Sequence, residues 1–183
     1  MYDTVKERVD EAQKIVIIQP ENPDADSLGT ATALEEILGG TGKNVTMFCA
    51  IDMPKYLHYI AGWNRLYNHF DGTYDLVIIV DTAAEALLVK TLETPGVRHF
   101  FETRRVLVLD HHNDEREEDK VRAHLSFPHE FMLDEAAAAT GELVYAIAQK
   151  LGWNVSKDAA DSLLASILGD TLGLSTQSVT LRT

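Results

Sequence analysis

Short unbroken apolar runs alternate along this chain with stretches in which apolar residues return every three or four positions. The short runs, rich in β-branched residues, are the mark of strands buried on both faces. They occupy residues 14–19, 44–49, 75–80 and 105–109. The periodic stretches predict amphipathic helices. Residues 3–14 place Val5, Val9 and Ala12 on one side. Residues 27–38 carry Leu28, Ala31, Leu34, Ile37 and Leu38 at helical spacing, with Gly39 and Gly40 as a stop. Further helices are expected at 83–92, at 135–151 closed by Gly152, and at 156–168 with Ser156 as N-cap. Between them come a loop at 20–26, where Pro20 and Pro23 forbid a regular ladder, and a mixed aromatic stretch at 52–72. A charge run at 114–120 reads as a solvated loop and residues 123–127 as a short edge strand. Residues 95–104 carry no decisive pattern.

Strands that alternate with helices imply βαβ units, so the expected fold is α/β: a mainly parallel sheet with helices on both faces. Ligands of such sheets bind beyond the carboxyl ends of the strands. Asp24 and Asp26 follow the first run, Asp81 the third, and Asp110, His111 and His112 the fourth. Three separate strand ends therefore bring acids and histidines to one edge.

Composition changes this picture little. The chain has 183 residues, 45% hydrophobic and 25% charged, which fits one globular domain, 1–183, with a real core. No apolar run approaches the roughly 18 to 20 residues that span a bilayer. The first 14 residues lack the apolar stretch of a signal peptide, so a cytoplasmic location and no membrane partner are expected. The single cysteine, Cys49, excludes an intrachain disulfide and a cysteine-rich zinc site. A net charge of -13 without a Lys/Arg cluster argues against duplex nucleic acid as partner. It does not exclude a small anionic substrate, because divalent cations held by the acids reverse the local field.

Each candidate has a plainer reading. Asp24 and Asp26, two apart in extended backbone, share a side and repel unless a cation lies between them; alternatively they form a turn and a helix cap. Asp81 stands at a strand end or merely precedes a cap at Thr82. Asp110-His111-His112 directly after a buried strand is the more telling set. Imidazole with carboxylate suits manganese, iron or zinc, and carboxylates alone suit magnesium. Asp110 is placed to orient a ligating imidazole. Asp170, in Leu168-Gly-Asp-Thr171, stands at a helix C-terminus, where a carboxylate is mildly unfavourable against the dipole. The remaining histidines lack carboxylate neighbours at ligand spacing and read as structural or exposed.

These residues resemble a known family. Asn22-Pro-Asp-Ala-Asp-Ser-Leu-Gly29, Val80-Asp-Thr82, Leu109-Asp-His-His112 and Leu168-Gly-Asp-Thr171 are similar to the four ordered motifs of the DHH phosphoesterases. That family includes RecJ-type exonucleases, oligoribonucleases, cyclic-dinucleotide phosphodiesterases and, more distantly, family II pyrophosphatases. Ala136-Ala-Ala-Ala-Thr140-Gly-Glu142-Leu-Val-Tyr145 looks like the segment before the fourth motif in the oligoribonuclease branch. The resemblance implies a Rossmann-like DHH domain and two divalent metal ions, Mn²⁺ as a rule and Mg²⁺ as the substitute. Asp24 and Asp81 would hold one ion, and Asp26, Asp81, His111 and Asp170 the other. His112 would contact substrate phosphate and Asp110 would support His111. In-line attack of water on phosphorus, activated by the two ions, is the implied chemistry.

The expected substrates are small nucleotide phosphoesters: short oligonucleotides, 3'-phosphorylated nucleotides or cyclic dinucleotides. A binding module without catalysis and a pyrophosphatase-like hydrolase are the alternatives, and a homodimer is left open. Two departures are visible. Many members carry a histidine shortly before the Asp-x-Asp, where this chain has Ile18-Gln-Pro-Glu21, so Gln19, Glu21 or water takes its place. The family's usual C-terminal substrate domain is expected to be absent from 1–183.

Overall fold

The computed structural model describes residues 2–112 and 125–183. Its frame is a five-stranded sheet: β1 (Lys14–Ile18), β2 (Asn44–Phe48), β3 (Leu76–Val80), β4 (Arg105–Asp110) and β5 (Glu130–Leu133). The order is β2-β1-β3-β4-β5 and every pairing is parallel. Register aligns the carboxyl ends: Ile18 pairs with Phe48 and Ile79, Val80 with Leu109, and Asp110 with Leu133.

Helices cover both faces, as the unbroken apolar runs require. On one face Ile15, Ile17, Ile78, Val80, Leu107 and Leu109 form a core with four helices: α1 (Tyr2–Glu11), α2 (Ala25–Gly40), α5 (Thr140–Leu151) and α6 (Lys157–Asp170). On the other, Val16, Ile18, Val77, Ile79, Val106 and Val108 pack under α3 (Val89–Glu93) and α4 (Val97–Thr103) through Leu92, Phe100 and Phe101. Each strand side chain so enclosed contributes about 1.5–3 kcal/mol of transfer free energy, so a polar substitution in β3, buried at all five positions, would break the sheet's centre.

Three local expectations differ from what is seen. Residues 83–92 do not form one helix; Thr82 Oγ1 accepts the Ala84 amide, a 3₁₀ turn (Glu85–Leu87) follows, and α3 begins only at Val89. The helix expected at 135–151 starts at Thr140, because Ala139 is extended at φ -162° and ψ 157° and leads the chain into the site. The fifth strand lies at 130–133; residues 125–127 are not strand, and residues 123 and 124 lie outside the described residues. The charge run 114–120 and His124 also lie outside them. Residues 97–103, which have no decisive pattern, are the helix α4.

Candidate functional site

The loop between β1 and α2 presents the first acids. Asp24 is the N-cap of α2. Its Oδ1 accepts the Ser27 amide at 2.9 Å, and Ser27 Oγ accepts the Asp24 amide at 3.0 Å, a reciprocal capping box. That arrangement turns Asp26 inward, where it is 1% exposed. Of the two readings of this pair, the cap is the one seen: Asp24 caps α2, while Asp26 enters the interior.

β3 delivers Asp81. The residue adopts φ 61°, a left-handed conformation that Asp tolerates better than most side chains, and its amide donates to Leu109 O at 2.9 Å. β4 delivers the remaining motif. His111 Nδ1 donates to Ala137 O at 3.2 Å, which fixes the tautomer and leaves Nε2 as the lone-pair nitrogen. That Nε2 is buried with no hydrogen-bond partner among the described residues. It lies 3.5 Å from Asp26 Oδ2, 3.9 Å from Asp81 Oδ1 and 3.7 Å from Asp170 Oδ2. Asp170 is the last residue of α6, half-buried and turned toward the same point.

Two groups of donors have ligand atoms mutually within 4.8 Å: Asp81, His111 and His112, and Asp26, His111 and Asp170. An orphaned buried imidazole nitrogen facing three carboxylate oxygens is an arrangement that a divalent cation satisfies. Octahedral ligands lie about 3 Å apart when adjacent and about 4 Å when opposite, which brackets the three distances from His111 Nε2. Asp24 is exposed and belongs to neither group.

Electrostatics point the same way. Burial, then the charges of Asp26, Asp24 and Asp110, push the Asp81 carboxyl well above the usual carboxylate range. Burial followed by Asp26 also raises Asp170. Acids crowded like this fold against their own repulsion, and a bound cation relieves it.

Asp110 has a different partner from the one expected of it. Its Oδ1 accepts the His111 amide at 2.8 Å and the His112 amide at 3.2 Å. It takes the His112 Nδ1–H at 2.7 Å. The ring held by Asp110 is therefore His112, whereas a backbone carbonyl holds His111. The hydrogen bond to Asp110 lifts the His112 pKa to about 9, so this half-exposed ring is an imidazolium at neutral pH.

The two proposed substitutes for the family's early histidine differ from each other. Glu21 Oε1 accepts the Thr91 amide at 2.7 Å, at the start of α3. Gln19 is fully buried at the end of β1, and neither amide atom has a partner among the described residues.

Other residues of the site carried no signal in the motifs. Thr140 Oγ1 donates to Asp81 Oδ1 at 3.0 Å, and the amides of Thr140 and Gly141 donate to Asp26. Ser166 and Thr30 add their hydroxyls to the same carboxylate. Only the small-residue stretch around Thr140, already similar to the oligoribonuclease branch, could have drawn attention to one of them. His58 stacks on Trp63 at 3.5 Å and belongs to neither donor group, and buried Cys49 contacts Pro20 O.

The bifunctional oligoribonuclease and PAP phosphatase NrnA of Bacillus subtilis is 24% identical over 161 residues, 86% of this chain and 46% of that protein. The crystal structure of an exopolyphosphatase-related protein from Bacteroides fragilis superposes with a TM-score of 0.82 at 20% identity. It covers 98% of this chain and 52% of the other, which shows the shared fold. The chain thus spans about half the length of the relatives it matches. Residues 14–167 match the DHH family's N-terminal domain, so the chain belongs to the DHH family.

Proposed function

We propose that this chain carries the metal site of a phosphoesterase that hydrolyses small nucleotide phosphoesters. The observation that carries the reading is the buried His111 Nε2, without a hydrogen-bond partner among the described residues, facing carboxylates from α2, the end of β3 and α6. Asp26, Asp81, His111 and Asp170 would hold one divalent ion, Mn²⁺ in preference to Mg²⁺ because an imidazole is among the ligands. Asp24 and Asp81 would hold a second, with Asp81 shared. When bound, the ions supply Lewis acidity toward the phosphoryl oxygens.

The protein's own groups do the rest. The His112 imidazolium, anchored through Nδ1 to Asp110, leaves its other N–H for a phosphate oxygen and supplies positive charge beside it. The backbone carbonyl of Ala137 keeps the His111 ring in the ligating tautomer. A net charge of -13 disfavours a long polyanion, which supports short substrates such as dinucleotides, 3'-phosphorylated nucleotides or cyclic dinucleotides.

The test is release of mononucleotide from a dinucleotide in Mn²⁺, compared with Asp81→Ala. Turnover by the wild type that Asp81→Ala abolishes is the expected result. Tight metal and nucleotide binding with no product from any phosphoester would replace the enzyme reading with a binding module. Phosphate release from pyrophosphate faster than from any nucleotide would make it a pyrophosphatase-like hydrolase.

A further inference from the structure

The two innermost carboxylates are held by hydroxyls and amides outside the acid–histidine motifs. Asp26 Oδ1 accepts Thr30 Oγ1 at 3.1 Å, Gly141 N at 3.2 Å and Ser166 Oγ at 2.5 Å. Among the described residues, Asp26 Oδ2 accepts one backbone amide, that of Thr140, at 2.7 Å. A carboxylate oxygen offers about two lone-pair positions, so Oδ1 is saturated and Oδ2 keeps one. The oxygen that keeps it is the one 3.5 Å from His111 Nε2. Thr140 reaches further. While its amide holds Asp26, its hydroxyl donates to Asp81 Oδ1 at 3.0 Å. One residue in the first turn of α5 thus ties an acid of α2 to the acid at the end of β3.

The packing of three helices is cut to allow this. A Cβ on Gly141 would stand 2.0 Å from Ser166 Oγ, and a Cβ on Gly29 would stand 2.6 Å from Ser162 O and 2.9 Å from Ser166 N. Glycine on α2 and on α5 lets α6 approach closely enough for a hydroxyl as short as that of Ser166 to reach Asp26. Thr140 and Ser166 are themselves fully buried.

We infer that Thr140 and Ser166 are positioning residues of the cation site. Ser166 commits Asp26 to binding through Oδ2 alone, and Thr140 sets the separation between Asp26 and Asp81. A ligand carboxylate free to rotate would present either oxygen or both, and the site would lose the entropy of fixing it on each binding event. Partners that orient ligands in this way change metal affinity by about 10–100-fold when removed. The inference rests on the proposed cation site, and the experiment separates the two.

The full chain is titrated with Mn²⁺ while the electron paramagnetic resonance signal of free hydrated Mn²⁺ is followed, for wild type, Asp81→Ala, Thr140→Val, Thr140→Ser and Ser166→Ala. The metal-free stability of each is measured in urea. Thr140→Val and Ser166→Ala are expected to weaken Mn²⁺ binding about 10–100-fold, and Thr140→Ser, which keeps the hydroxyl, to restore most of it. A merely structural role would lower stability and leave the affinity of the folded protein where it was. If the wild type binds Mn²⁺, Asp81→Ala loses it, and folded Thr140→Val and Ser166→Ala bind as tightly as wild type, the positioning inference is overturned and the proposed function stands. If the wild type binds no Mn²⁺, both fall. Should Thr140→Val not fold, Ser166→Ala tests the same point from a different helix.

Discussion

Gly141→Ala is the substitution whose consequence the packing defines most sharply. The new methyl would stand 2.0 Å from Ser166 Oγ, 2.8 Å from Ser166 Cβ and 3.4 Å from Thr30 Oγ1. Rotating the serine hydroxyl away relieves the first contact only by breaking its bond to Asp26, and the second contact still forces α5 and α6 apart. Losing a hydrogen bond to a charged group removes about 1.5–3 kcal/mol, and overpacking removes about 1–3 kcal/mol. The helical preference of alanine over glycine returns up to about 1 kcal/mol. The net is a loss of about 1.5–5 kcal/mol, which at a urea dependence of roughly 2 kcal/mol/M lowers the midpoint by about 1–2.5 M. The assay is urea unfolding of metal-free protein followed by far-ultraviolet circular dichroism. Gly39→Ala is the control: it lies in α2 with nothing within 4 Å of the added carbon. It is expected to gain about 0.5–1 kcal/mol. A Gly141→Ala midpoint equal to or above that of the wild type would refute the argument that a hydroxyl-to-carboxylate contact dictates glycine there.

Three further outcomes follow from single residues. In metal-free protein the His112 ring, followed by nuclear magnetic resonance, should titrate near pH 9, and in Asp110→Asn its midpoint should fall toward the usual histidine value. Because the folded value is raised, this bond stabilises the fold fully below about pH 6.5. Its contribution is then lost as the pH rises through about 9. Gln19→Met should stabilise the metal-free protein by about 1–3 kcal/mol in urea, since a buried amide without partners gives way to an apolar side chain of similar length; lost stability would mean that Gln19 has a partner outside the described residues. Arg182→Ala removes a guanidinium that lies 2.9 Å from the buried Glu142 Oε1 and 2.7 Å from Asp134 Oδ2. Arg182 is 41% exposed, so water repays part of the loss, and a thermal-melt penalty of about 1–2 kcal/mol is expected.

How much of this could be read from the chain depended on the range of each signal. β1, β3 and β4 were legible because unbroken Val/Ile/Leu runs have few other places to go, and the acids that follow them had to reach one edge. β5 was not. Its four residues sit at the sheet edge with only Met132 buried, too little periodicity to mark a strand. The alanines at 136–139 have high intrinsic helix propensity, yet they stay outside the helix. Ala137 O must meet His111 Nδ1, and the amides of Thr140 and Gly141 must meet Asp26, so tertiary contacts override local preference. The same contacts hide Thr140 and Ser166 from a reader of motifs. A threonine or serine in a helix pattern has no local mark that says which carboxylate, more than 100 residues away, it will touch. The motif also gave no hint that Asp110 would grip the ring of His112 while Ala137 gripped that of His111.

The most direct test of the central claim is the anomalous scattering of a crystal soaked in Mn²⁺. A manganese peak should appear about 2.2 Å from His111 Nε2, with Asp26 Oδ2, Asp81 Oδ1 and Asp170 Oδ2 as its other protein ligands. A second peak beside Asp24 and Asp81 would add the shared ion. Manganese bound elsewhere, with His111 Nε2 left unliganded at saturating concentration, would contradict the site.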